Sequence, residues 1–169
     1  MKSVFESKNN KSKLNELEKV VDHLDNSNVK CNNWGKFVNL LHDAGGGTIL
    51  NKSEKDSITL PIIFSKCYTI KEKFNYIKGL KLYKKIHLED SEFDYRISIN
   101  KLDVPTYFIS GEYDYNCPFE LVIDYCNKLD APKKGFYKIT SSAHSPLWEN
   151  YSETLNALLN IKDGVINEG

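Results

Sequence analysis

The stretch that decides the fold is VPTYFISGEYDYNCP, residues 104–118. Its opening residues are β-prone, with a proline near the start and Gly111 as the stop, so 104–110 reads as a strand. Pro118 suits the first turn of a helix whose apolar face is Leu121, Val122, Tyr125 and Leu129. APKKG then turns the chain, and FYKIT (136–140) reads as a second strand. A last helix from about Trp148 carries Tyr151, Leu155 and Leu158. Strand, helix, strand, helix at this spacing predicts an α/β arrangement, a βαβα unit with its two strands parallel.

Upstream, the pattern is helical. Residues 1–11 are polar and without periodicity, and read as a disordered tail. Leu14, Leu17, Val21 and Leu24 recur at helical spacing until the Asn-rich DNSNVKCNN (25–33) interrupts them. A short helix follows, with Trp34, Phe37, Val38 and Leu41 on one face, ended by AGGGT (44–48). LPIIF (60–64) is a brief apolar segment, and Thr69 with Glu72 forms a T-x-x-E capping box before Ile70, Phe74, Ile77 and Leu80. LEDSEFD (88–94) closes this half. The implied division is a tail at 1–11, a helical region at 12–92, an α/β portion at 93–162 and a second tail at 163–169.

Bulk properties exclude several classes. The 169 residues fit one domain, and 23 basic side chains balance 23 acidic ones with no long block of either sign. Nucleic acid and membrane surfaces are therefore not expected partners. Aromatic residues at 12% mark a core-building chain. Cys31, Cys67, Cys117 and Cys126 make no C-x-x-C pair and have no histidine at zinc-finger spacing, so no metal and no cofactor is expected. The first residues lack a signal-peptide core and no run is apolar enough to span a bilayer, which implies a cytoplasmic location with reduced thiols.

In a parallel α/β unit, groups just beyond the carboxyl ends of the strands face the site crevice. Asp114 follows the first strand and His144, in SSAHSP (141–146), follows the second. An aspartate there can fix the imidazole tautomer and leave the other ring nitrogen free to take a proton. If both serve only as turn-formers they need not meet. If they are paired, an Asp114 oxygen lies about 2.6–3.2 Å from a His144 nitrogen.

These residues carry a resemblance. LDVPTYFISGEYDYNCP (102–118) resembles the penultimate core strand of α/β-hydrolases, in particular the prolyl-aminopeptidase-like branch, with the turn that holds the triad acid. APKKGFYKITSSAHSP (131–146) resembles that family's last strand and triad-histidine motif. The resemblance implies Asp114 as acid and His144 as base, in the family's chain order. LLHDAGGGTIL and SKCYTIKEKFNYIKGLKL resemble the family's helical cap, so that about 12–162 is covered. Ala143 departs from the glycine often found there.

The family's nucleophile is a serine in G-x-S-x-G, and these residues contain no such motif. HDAGGG (42–47) reads as a helix-ending turn and not as an oxyanion loop. Cys117 is a candidate nucleophile by position, with packing as the better reading. Ser141, Ser142 and Ser145 are too close to His144 to be presented on a separate turn. Glu149 either faces a substrate amine or simply starts a helix near its dipole. The expectation is the C-terminal portion of a serine hydrolase for acyl, ester or peptide bonds, inactive alone. Another polypeptide would then supply the nucleophile, and the open strand edge would drive self-association. The alternatives are a non-catalytic, hydrolase-derived binding or assembly module, and a truncated gene product.

Overall fold

The structure is a computed structural model that describes residues 1–26, 34–86 and 94–166. The break around Cys31, most of the closing segment 88–94 and the expected boundary at 92/93 lie outside the described residues. The chain forms two compact units, Met1–Leu40 with Ser53–Phe93, and Leu41–Lys52 with Asp94–Gly169.

In the first unit, α1 (Lys2–Ser7) packs against α2 (Lys11–Asn26). Residues 2–7, expected as part of a tail, are thus helical. The cause is Phe5, whose ring is buried and gives the short helix an apolar anchor. Asn9, at φ 49°, turns the chain between the two helices, a backbone region that asparagine tolerates. Asn10 Oδ1 then accepts from the Lys13 N–H at 3.1 Å, an N-cap for α2. Leu17 and Val20 are buried while Val21 is exposed, so the apolar stripe is rotated from the one read in sequence. α3 (Trp34–Asp43) contributes Leu40 to the core before continuing into the Leu41–Lys52 segment. A π-helical turn at Lys55–Thr59 leads into α4 (Leu60–Phe64). The capping box forms at α5 (Ile70–Ile86). Thr69 Oγ1 accepts from the Glu72 N–H, and Glu72 Oε2 accepts from the Thr69 N–H at 2.7 Å. The hydrogen bonds that the Thr69 N–H and the Thr69 hydroxyl donate to Oε2 hold the Glu72 carboxyl below its ordinary pKa.

In the second unit, α6 (Tyr95–Ser98) precedes β1 (Thr106–Gly111), α7 (Phe119–Lys128) and β2 (Lys134–Ile139). α8 (Pro146–Glu149) and α9 (Tyr151–Ile166) follow, separated at Asn150. β1 and β2 pair in parallel, with Phe108 opposite Phe136 and Gly111 opposite Ile139. Leu129, Ile139, Cys126 and Ala157 are buried, and Phe108 meets Tyr125 edge-on at 5.7 Å. The Tyr125 hydroxyl donates to the Ile99 carbonyl at 2.8 Å.

The fold class read from sequence is corrected here. The described residues are mostly helical, and their one sheet has two strands. The chain is not the βαβα unit of an α/β-hydrolase fold. A parallel sheet of that class is covered on both faces, whereas here only Ser110, Gly111 and Ile139 of the two strands are buried. The local β-propensity was legible, but it extends to no larger sheet among the described residues.

Candidate functional site

The site lies where both strands end. Glu112 N–H donates to the Ile139 carbonyl and Tyr113 N–H to the Ser142 carbonyl, each at 2.9 Å, so the pairing continues past β1 and β2 into the two loops. Gly111 makes this approach possible. A Cβ at that position would collide with the carbonyl oxygens of Ala143 and Ser142, which are backbone atoms and cannot swing away. Ser141, at φ 52°, bends the chain directly after β2 into the segment that holds His144.

Asp114 is buried on the turn after β1. Its Oδ1 accepts from the N–H groups of Asn116 and Cys117, both at 2.9 Å, which locks the side chain to its own loop. Its Oδ2 lies 2.9 Å from Nδ1 of His144. The two residues singled out from sequence are therefore in direct contact. The carboxylate accepts and Nδ1–H donates, which leaves Nε2 without a hydrogen-bond partner among the described residues. The His144 side chain keeps 45% of its surface exposed while that of Asp114 keeps 5%, so the acid is sheltered and the base is accessible. The hydrogen bond from Asp114 raises the His144 pKa above 6.5. Burial opposes this, and the charges of Asp114 and Glu149 reinforce it.

The Gly45–Gly47 run, expected only to end a helix, joins the two loops. Gly46 O accepts from Tyr115 N–H at 3.0 Å, next to Asp114, and Gly47 O accepts from His144 N–H at 3.3 Å. His42, buried, has Nδ1 2.9 Å from the Lys52 carbonyl, and its ring occupies the space a Gly47 side chain would need. Three consecutive glycines were the signal for such close backbone approach.

Glu149 is the other group whose role was not legible. Its carboxylate accepts from the N–H groups of Leu50 at 2.6 Å, Ser145 at 3.1 Å, and Ala143 at 3.0 Å to one oxygen and 3.1 Å to the other. With its oxygens engaged this way, it is not poised to bind a substrate amine.

Cys117 Sγ, a ring nitrogen of His144 and a carboxylate oxygen of Asp114 lie within 4.8 Å of one another. Sulfur, imidazole and carboxylate are a donor set suited to zinc. Here, however, the Asp114 and His144 atoms bond each other, and a cation would have to displace that bond. Cys117 is exposed at the surface, yet partial desolvation, and then the charge of Asp114, raise its pKa and favour the thiol. That is opposite to the activation a nucleophilic cysteine requires. Among the described residues, no serine hydroxyl is hydrogen-bonded to the His144 ring.

No family model matches the chain, and no solved structure matches it. The chain is similar to the probable aminopeptidase YbaC of Bacillus subtilis (strain 168), with 30% identity over 115 residues. The match covers 67% of this chain and 36% of that protein, so the chain spans only about a third of the relative's length. This supports an aminopeptidase-like relationship. No helix among the described residues is long and apolar enough to cross a membrane.

Proposed function

We propose that Asp114 and His144 are the acid and base of an aminopeptidase-like serine hydrolase, whose nucleophile and oxyanion hole come from polypeptide outside these 169 residues. The observation that carries this reading is the 2.9 Å bond between the buried Asp114 carboxylate and Nδ1 of the accessible His144. That bond fixes the tautomer in which Nε2 is the basic nitrogen, directed to take a proton from an attacking hydroxyl and return it to a leaving amine. The negative charge beside the ring stabilises the imidazolium formed in between. The named relative supports a peptide-type substrate with a free amino end. An external nucleophile fits a chain without G-x-S-x-G whose nearby cysteine is held as a thiol.

The test is hydrolysis of amino-acid 4-nitroanilides by the isolated chain, and by the chain purified with the polypeptides that accompany it in its host. The isolated chain is expected to give no turnover, because an acid–base pair lacks the groups that do covalent chemistry. The accompanied chain is expected to be active, and its activity to vanish in His144→Ala. Turnover by the isolated chain that disappears in Cys117→Ser would overturn the external nucleophile. Activity indifferent to His144 would overturn the reading as a whole.

A further inference from the structure

Glu149 stands five residues beyond His144, at the end of α8, and its carboxylate reaches both flanks of that histidine. It takes the N–H of Ala143 on one side and of Ser145 on the other, so His144 sits at the centre of a small ring closed by one acidic side chain. It also takes the Leu50 N–H, 99 residues away in sequence, from the same segment whose Gly47 carbonyl receives the His144 N–H. A carboxylate is the fitting acceptor, because it can serve several N–H donors at once and bonds them about twice as strongly as a neutral oxygen does. A glutamate that merely starts a helix would have no reason to gather, besides donors of its own loop, one from a segment 99 residues away.

We propose that Glu149 is the positioning residue of this site: its carboxylate ties the histidine loop to the Gly47–Leu50 segment and thereby holds the His144 ring on Asp114. This deepens the proposed function and rests on it for the meaning of His144. The titratable groups facing His144 are Asp114 and Cys117, from the turn after β1, and Glu149 from α8. The charge of Glu149 adds to the effect of Asp114 in favouring the imidazolium.

The experiment follows amide exchange and the His144 ring titration by NMR in the 169-residue chain, comparing the parent with Glu149→Gln. The Leu50, Ala143 and Ser145 amides are expected to exchange about tenfold faster or more in the variant, since each loses a bond to a charged acceptor. His144 is expected to titrate at lower pH than in the parent. Glu153→Gln is the control. Glu153 holds the Thr140 N–H at 2.9 Å, together with the Thr140 hydroxyl and the Asn150 side-chain amide, and is not among the groups acting on His144. The variant should therefore free the Thr140 backbone amide and leave the Leu50, Ala143 and Ser145 amides unchanged. Unchanged exchange at the three amides, together with an unchanged His144 titration, would overturn the proposal. If Glu149→Gln does not fold, Glu149→Asp decides. The shorter side chain keeps the charge but cannot reach all its donors, so the Leu50, Ala143 and Ser145 amides are expected to exchange faster than in the parent. Parent-like exchange at all three would overturn the proposal. Because none of these readouts needs turnover, a positive result in a chain that never supports hydrolysis leaves the positioning role standing and removes the hydrolase reading.

Discussion

Asp114 and His144 are 30 residues apart in sequence and meet at 2.9 Å because two short parallel strands end at the same level. The bond has one sheltered and one accessible partner. That asymmetry sets the first expectation, on pH.

The His144 pKa is raised in the folded chain, with the Asp114 hydrogen bond as the leading cause. Folding therefore favours the proton on this ring. The associated stability is complete below the unfolded value of about 6.5 and is lost as pH rises through the higher folded value. The stability gap between the parent and His144→Gln, read by urea unfolding, should narrow from the acid to the alkaline side of that window. A gap that is flat or widens with pH would contradict the assignment of the shift to this pair.

Two glycines provide a paired test of backbone approach. Gly111→Ala should destabilise by about 1–3 kcal/mol, because the new methyl meets fixed carbonyl oxygens of the His144 loop. Gly79→Ala, in α5 with nothing within 4 Å of the added carbon, should stabilise by up to about 1 kcal/mol through helix propensity. Denaturant midpoints measure both. Equal effects would show that the close contact at Gly111 does not govern the loop.

Part of this site was legible in the amino-acid sequence. Asp114 and His144 could be found because turn signals immediately after β-prone runs are local in sequence. The Glu149 clamp was not legible, since its meaning depends on the Leu50 N–H arriving from another segment. The Gly45–Gly47 run was visible, but its use depends on contacts to Tyr115 and His144 that no local pattern encodes. The fold class failed for a related reason. The β-prone run at 104–110 reports strand propensity, whereas the extent of a sheet depends on what pairs beyond it, and here each strand pairs only with the other among the described residues. Phe5 shows the reverse case, a single buried ring making a helix from residues whose composition reads as tail.

Cys117 should be a slow thiol. The thiol is exposed, but partial desolvation and the neighbouring Asp114 charge raise its pKa, so its alkylation by iodoacetamide should accelerate only at pH values above those needed for an ordinary cysteine. Rapid alkylation at neutral pH would show an activated thiolate and reopen its candidacy as nucleophile.

Self-association is the next expectation. β1 and β2 each have an unpaired side among the described residues, and Leu147, Trp148 and Tyr151 are exposed, with Trp148 at 80%. Unpaired strand edges and apolar side chains are covered when copies meet. Sedimentation should show dimers or larger species that weaken in Trp148→Ser. A monomer at all accessible concentrations would count against this surface being used between copies.

The most direct measurement of the central claim is a double-mutant cycle on the hydrolytic activity of the accompanied chain. Asp114→Asn and His144→Ala should each lower kcat/KM for an amino-acid 4-nitroanilide by roughly a hundred- to ten-thousand-fold. Because the two residues act as one unit, the double variant should be no worse than the more damaging single one. Losses that simply multiply, or a parent-like rate in either single variant, would show that the Asp114–His144 bond is not the acid–base pair of the reaction.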